Sequence, residues 1–207
     1  MKYELTNETI KIYGRTLHRI KALRDVGLNV KKGDLGGFIE NENNLSQNGN
    51  CWIFQSAKVF DSAKVFGDAE VYDKAMVFGK AMVHNSAKVY DSVKVYNSAK
   101  VCGKTRIYGS AEIYGNATVY DNAIICDSAQ ITKTTDVFTI TPIGSRNDTT
   151  TFYKAQDNKI FVKCGCKNTD IDTWLDMVKE THGDNKHAKT YRLAAQIARL
   201  QILGEEV

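Results

Sequence analysis

A single proline, Pro142, stands in a chain of 207 residues, so the turns have to be made by the 15 glycines and by Asn and Asp. No apolar run approaches the roughly 20 residues a helix needs to cross a bilayer. The Met1–Ile10 stretch lacks the apolar centre of a signal peptide, and a cytoplasmic protein is expected. Cysteine is sparse and odd in number. Cys51, Cys102, Cys126, Cys164 and Cys166 are scattered over a chain too long to need disulfide stapling, which predicts reduced thiols. Charge of one sign is lacking too: 28 basic against 24 acidic residues leave a formal +4, too slight an excess to mark a nucleic-acid partner by itself. With 43% hydrophobic and 25% charged residues, the composition suits one globular unit or two small ones and excludes a disordered tail.

What the chain does have is a repeat. From Ile53 to about Asp136 an aliphatic residue recurs at every sixth position: Ile53, Val59, Val65, Val71, Val77, Val83, Val89, Val95, Val101, Ile107, Ile113, Val119, Ile125 and Ile131. Four residues after each comes a small residue, in most hexads alanine, from Ala57 to Thr135. Two residues after each comes Gly, Asp or Asn, except at the ends, where Gln55 and Lys133 stand.

In a segment such as Ala63-Lys64-Val65-Phe66, side chains alternate across a strand, so Ala and Val face one side and Lys and Phe the other. Asp61-Ser62 and Gly67-Asp68 then turn the chain, because Gly, Asn and Asp tolerate the left-handed backbone of a tight corner. A helix fails, since apolar positions in a six-residue repeat drift round a 3.6-residue period instead of forming a stripe. The pattern predicts a mainly β protein built on a single-stranded parallel β-helix over residues 53–136. Residues 1–52 are expected to form an N-terminal β cap over its first coil, and residues 137–207 a small C-terminal α+β domain with two helices.

These hexads resemble those of the hexapeptide-repeat proteins of the left-handed β-helix class, in which three hexads make one triangular coil of 18 residues. The resemblance implies left-handedness and about five coils. Many acyltransferases of that class carry Gly directly after the aliphatic residue, whereas here an aromatic usually holds that place and the Gly or Asp comes one later. Positions 18 apart then stack into outer columns. One face carries Phe60, Phe78, Tyr96 and Tyr114, a second Phe66, His84, Cys102 and Tyr120, and the third Phe54, Tyr72, Tyr90, Tyr108 and Cys126. So much outward aromatic surface predicts that a face packs against another subunit. Proteins of the class are commonly trimers, so the resemblance implies a homotrimer, with Phe60, Phe78, Tyr96 and Tyr114 as the expected interface.

In the cap, Tyr3, Leu5, Ile10 and Ile12, split by Thr6-Asn7-Glu8, predict a β-hairpin, with a third strand over Thr16–Arg24. Ile39 and Leu45 are six apart, and the hexad phase shifts by two between Leu45 and Ile53. After the repeat, Val137–Thr141, Thr150–Lys154 and Ile160–Lys163 predict short strands. Thr169 or Asp170 can cap a helix over Ile171–His182 that ends at Gly183, and Asn185 a second one reaching about Leu203. The segments Leu17-His18-Arg19-Ile20, Gly33-Asp34-Leu35-Gly36-Gly37-Phe38-Ile39-Glu40, Asn44-Leu45-Ser46, Ile143-Gly144-Ser145-Arg146-Asn147-Asp148-Thr149-Thr150 and Cys164-Gly165-Cys166 give the whole chain a second resemblance. It is similar to a group of β-helix proteins encoded in bacterial and phage or prophage genomes, which brings no established reaction.

Four histidines are available: His18, His84, His182 and His187. Acyltransferases of the class place a histidine on an outer face as general base, and His84 would be that residue; otherwise it replaces a stacking aromatic. Cys164-Gly165-Cys166 with His182 and His187 invites a zinc reading, but the Cys-x-Cys spacing departs from the commoner one, and packing without a metal is expected. In the loop Gly144–Thr151, Ser145, Arg146, Asn147, Thr149 and Thr150 offer hydroxyls, an amide and a guanidinium, a set suited to phosphate. It is equally the set of a polar hairpin in which Arg146 pairs with Asp148. The Lys and Tyr columns could hold single-stranded nucleic acid, but Glu70 and Glu112 interrupt them, and no nucleic-acid partner is expected.

The expected function is that of a non-enzymatic oligomeric binding protein without a cofactor. It would recognise a phosphorylated small molecule, such as a nucleotide signal, or a host protein, and the second resemblance implies a phage factor that inhibits host defence. The alternative is an acetyl-CoA-dependent acyltransferase using His84.

Overall fold

Each hexad becomes a two-residue strand and a corner. In the computed structural model, which describes residues 1–205, fourteen such strands run from Trp52–Ile53 to Gln130–Ile131 among the described residues. The Val or Ile of each strand and the small residue two before it point inward and are fully or almost fully buried. Partners are 18 residues apart and parallel, as in Lys58↔Met76 and Lys88↔Arg106. Three sheets result, with five, five and four of these strands, making a parallel β-solenoid of about five turns. Corner residues adopt positive φ, among them Asp61, Asp73, Asp91, Asp121 and Asp127. The aspartates also tie one corner to the next: Asp61 Oδ2 accepts from the Gly79 amide at 3.0 Å and Asp91 Oδ2 from the Gly109 amide at 2.9 Å.

The solenoid has a hydrogen-bond polarity. At the corners and strand ends, an amide in one coil donates to a carbonyl in the following coil, as Trp52 does to Ala69 at 3.0 Å, so carbonyls of this kind are left over at the N-terminal end and amides at the C-terminal end. Each end has the matching cap, because buried backbone groups need partners. At the first coil, the buried Lys2 ammonium donates to the Cys51 carbonyl at 2.8 Å, and Asn44 Nδ2 to the Ala63 carbonyl at 2.9 Å. At the last, Thr151 Oγ1 accepts from the Ile124 amide and Thr134 Oγ1 from the Thr118 amide, both at 3.1 Å.

The cap holds β1 (Tyr3–Ile12), β2 (Arg15–Ala22) and β3 (Leu35–Ile39). The first hairpin turns at Tyr13-Gly14, both with positive φ as a two-residue turn requires, and not at Thr6-Asn7-Glu8. Those three residues are absorbed as a register shift between Leu5 and Thr9 within one long strand. β3 lies parallel to Lys58–Val59, and Leu45 bridges Val65, so the solenoid stack extends into the cap. Both pairings are 20 residues apart, and the phase shift before Ile53 supplies the extra two. The hairpin folds down over the first aromatic column, burying Phe60 with Leu17 and Phe38.

The C-terminal domain is an antiparallel sheet of Val137–Ile143, Asp148–Lys154, Ile160–Cys164 and Lys167–Asp170, covered by α1 (Ile171–His182) and α2 (Lys186–Leu203). The fourth strand, with sequence Lys-Asn-Thr-Asp, has no hydrophobic pattern and forms because its neighbour offers a free edge. Asp170 caps α1 by accepting from the Thr173 amide at 3.0 Å, and Asn185 caps α2. Tyr153 joins domain to solenoid: its buried hydroxyl donates to Asn168 Oδ1 at 2.6 Å and lies 3.3 Å from Cys126 Sγ.

Candidate functional site: a cavity in the C-terminal domain

Between its sheet and its helices the C-terminal domain leaves a cavity of about 420 Å³, within the range of small-molecule sites. Its walls come from the hairpin turn between Ile143 and Asp148, the tight turn at Gly165-Cys166, the last two turns of α1 and the N-terminal half of α2. The floor is aromatic. Trp174 packs edge-on against Tyr191 at 5.1 Å and against Phe152 at 5.4 Å, which fixes its indole between sheet and helices. Ile143, Met177 and Val178 complete the apolar part.

The mouth is polar. Arg146 and Lys167 bring positive charge, Asp148 and Glu180 negative, and Ser145, Thr181 and His182 further hydrogen-bonding groups. Inside, Thr150 Oγ1 donates to Cys164 Sγ at 3.2 Å, and the thiol reaches the Tyr191 hydroxyl at 3.9 Å. Burial, reinforced by the neighbouring Cys164 and opposed by Arg146, pushes the Tyr191 phenol up to about 12. It therefore keeps its proton at neutral pH and can donate it in a hydrogen bond to a ligand.

The structure divides the five residues expected to bind phosphate. Ser145, Arg146 and Thr150 line the cavity. Arg146 is exposed and forms no ion pair with Asp148, so its guanidinium faces the mouth free of a carboxylate among the described residues. Thr150 is buried and committed to Cys164. Thr149 lines a neighbouring groove on the solenoid side, and Asn147, with φ of 50°, is the exposed tip of the turn. Sequence reasoning missed Lys167, Trp174, Met177 and Tyr191. Trp174 and Tyr191 lie on the buried faces of the two helices, and the same residues that pack the core form the floor.

The other candidates lie apart. His84 stacks flat on Phe66 at 4.7 Å, and among the described residues its one polar side-chain partner is Asn85 at 3.3 Å, with no carboxylate to orient the ring. His182 and His187 have ring centroids 5.9 Å apart, but no three His, Cys, Asp or Glu side chains converge on a metal-sized point among the described residues. Phe60, Phe78, Tyr96 and Tyr114 stack face to face at 5.0 Å along their column. Phe60 is buried by the N-terminal hairpin, which leaves Phe78, Tyr96 and Tyr114 as the accessible part.

A family model described as the YdcK beta solenoid repeat matches residues 111–127, one stretch of the repeat. No curated protein matches the chain. The match and the solenoid of about five turns fit a hexapeptide-repeat left-handed β-helix protein. No helix among the described residues is long and apolar enough to cross a membrane.

Proposed function

We propose that the chain is a cytoplasmic, non-enzymatic binding protein whose solenoid is a scaffold and whose C-terminal cavity takes a phosphorylated small molecule of nucleotide size. The observation that carries this reading is the Arg146 guanidinium, free of a carboxylate among the described residues, at the mouth of a cavity of about 420 Å³ floored by Trp174 and Tyr191. Arg146 would hold phosphate oxygens with two parallel hydrogen bonds, assisted by Lys167. The aromatic and apolar floor would take the planar or hydrophobic part of the ligand, and the protonated Tyr191 hydroxyl would donate to it. Asp148 and Glu180 oppose a second, unshielded charge, which favours a ligand with one phosphate site over a polyanion.

The whole-chain resemblance to phage and prophage β-helix proteins supports reading the ligand as a host nucleotide signal that the protein sequesters. The aromatic column of Phe78, Tyr96 and Tyr114 supports a homotrimer. Calorimetric titration with mono-, di- and cyclic nucleotides tests the binding reading. Binding by the parent chain, weakened about tenfold or more in Arg146→Ala, is expected. If no nucleotide binds, the reading fails and a host protein becomes the better partner.

A further inference from the structure

Along the outer columns of the solenoid, charges on adjacent strands alternate with neutral residues or meet the opposite sign, with one exception. One column runs Lys58, Met76, Lys94, Glu112 and Gln130, and another Lys64, Met82, Lys100 and Thr118. The third runs Trp52, Glu70, Lys88, Arg106 and Ile124, and there Lys88 and Arg106 are direct cross-strand partners. Strands lie about 4.8 Å apart, and like charges directly opposite each other destabilise a sheet.

The chain relieves half of this repulsion. Glu70 neutralises Lys88 at 2.5 Å, but Arg106 has no ion pair among the described residues. Lys104, exposed at the corner two residues earlier, has none either. In front of these three cations opens a groove of about 430 Å³, distinct from the cavity of the C-terminal domain. Ser86 and Asn122 from two corners and Thr149 from the hairpin tip line it with neutral polar groups. Asp148, which also stands at the mouth of the C-terminal cavity, lines the groove and accepts from the Thr149 amide at 2.7 Å.

We infer that this groove is a second binding site, for an oxyanion of the phosphoryl class, held by the Arg106 guanidinium and the Lys104 ammonium. The guanidinium presents a planar fork that matches two oxygens of such a group, and the ammonium adds a point charge. Neutral hydroxyl and amide groups at the rim can complete the coordination without adding charge. In the free protein Glu70 relieves only the Lys88 half of the Lys88–Arg106 repulsion, so a bound anion beside Arg106 stabilises the fold by more than its own contacts. Asp148 repels an anion from the hairpin side and keeps it against the Lys104–Arg106 wall. This inference does not depend on the cavity of the C-terminal domain holding a nucleotide.

Thermal unfolding of the full chain at low ionic strength, with inorganic pyrophosphate as the probe and sodium chloride at matched ionic strength as the control, tests it. Pyrophosphate is expected to raise the Tm of the parent chain beyond the sodium chloride shift. Arg106→Gln is expected to raise the Tm in the absence of pyrophosphate, because a like-charge neighbour is gone, and to lose the pyrophosphate response. The pyrophosphate Kd is expected to weaken about tenfold or more in Lys104→Gln. Arg146→Ala is expected to keep the full response, which separates this site from the cavity. A parent shift no larger than that of sodium chloride overturns the inference. So does a response that survives in Arg106→Gln, or one that is lost in Arg146→Ala.

Discussion

Gly144 and Tyr191 compete for one space: a β-carbon on residue 144 would overlap the Tyr191 hydroxyl and ring carbon. Gly144 also has φ of 74°, a backbone region that side chains other than glycine's enter at a cost. The hairpin turn and α2 can therefore close on each other only with glycine at this place, and that closure sets Tyr191 against Trp174 in the cavity floor. A local backbone requirement and the shape of the candidate site are one feature.

Gly144→Ala should accordingly displace Tyr191 and destabilise the C-terminal domain by roughly 1–3 kcal/mol, from backbone strain and overpacking together. Near-ultraviolet circular dichroism of Trp174 and Tyr191, read beside a thermal melt, checks this. An unchanged spectrum with an unchanged Tm would show that the two residues do not constrain each other.

The end cap gives a second expectation. Thr151 is fully buried and its hydroxyl is the acceptor for the Ile124 amide on the last strand of its face. Thr151→Val leaves that amide without a partner and should cost about 1–3 kcal/mol, whereas Thr151→Ser keeps the oxygen and should cost less. Urea denaturation of the two variants compares them directly.

The two ends of the solenoid also show where sequence reading stops. Hexad spacing specifies the strands, their parallel stacking and the outward columns, because a period of six determines which side chains face inward. The helix boundaries at Asp170, Gly183 and Asn185 were readable as well, since capping is local chemistry. The Tyr13-Gly14 turn was missed because Thr6-Asn7-Glu8 carries equally good turn residues, and only pairing with β2 shows them to be a register shift. The strand Lys167–Asp170 has no pattern to read. The cavity was half visible: a polar loop announced Ser145 and Arg146, but Lys167, Trp174 and Tyr191 join them only through the packing of two helices on a sheet.

Acid should weaken one outer column in a defined way. The Glu112 carboxylate accepts from Lys94 Nζ at 2.8 Å and from the Tyr96 hydroxyl at 3.1 Å. The Lys94 bond is the largest cause holding its carboxyl below the ordinary glutamate range, against the opposing effect of burial. A lowered folded-state value means that the stabilisation is present above the unfolded value and is lost as pH falls through the folded one. The parent should exceed Glu112→Gln in stability at neutral pH by less than about 1 kcal/mol, because the pair is partly exposed. Denaturant melts across the acid range should show the difference closing as Glu112 becomes protonated.

Assembly is tested by light scattering at micromolar concentration. The homotrimer reading expects three times the 23.1 kDa chain mass. Replacing Phe78 and Tyr96 with Lys should dissociate the assembly while leaving Phe60, which the hairpin already covers, in place. A parent chain that scatters as a monomer contradicts it.

The central claim is that nucleotide recognition resides in the C-terminal cavity. Amide hydrogen exchange of the full chain, followed by mass spectrometry with and without a saturating nucleotide, measures this directly. Added protection is expected in residues 143–150, 164–167 and 174–182, with the strands between Trp52 and Ile131 unchanged away from the Lys88–Arg106 groove. Protection confined to the solenoid strands, or none anywhere with every nucleotide class, would contradict the account.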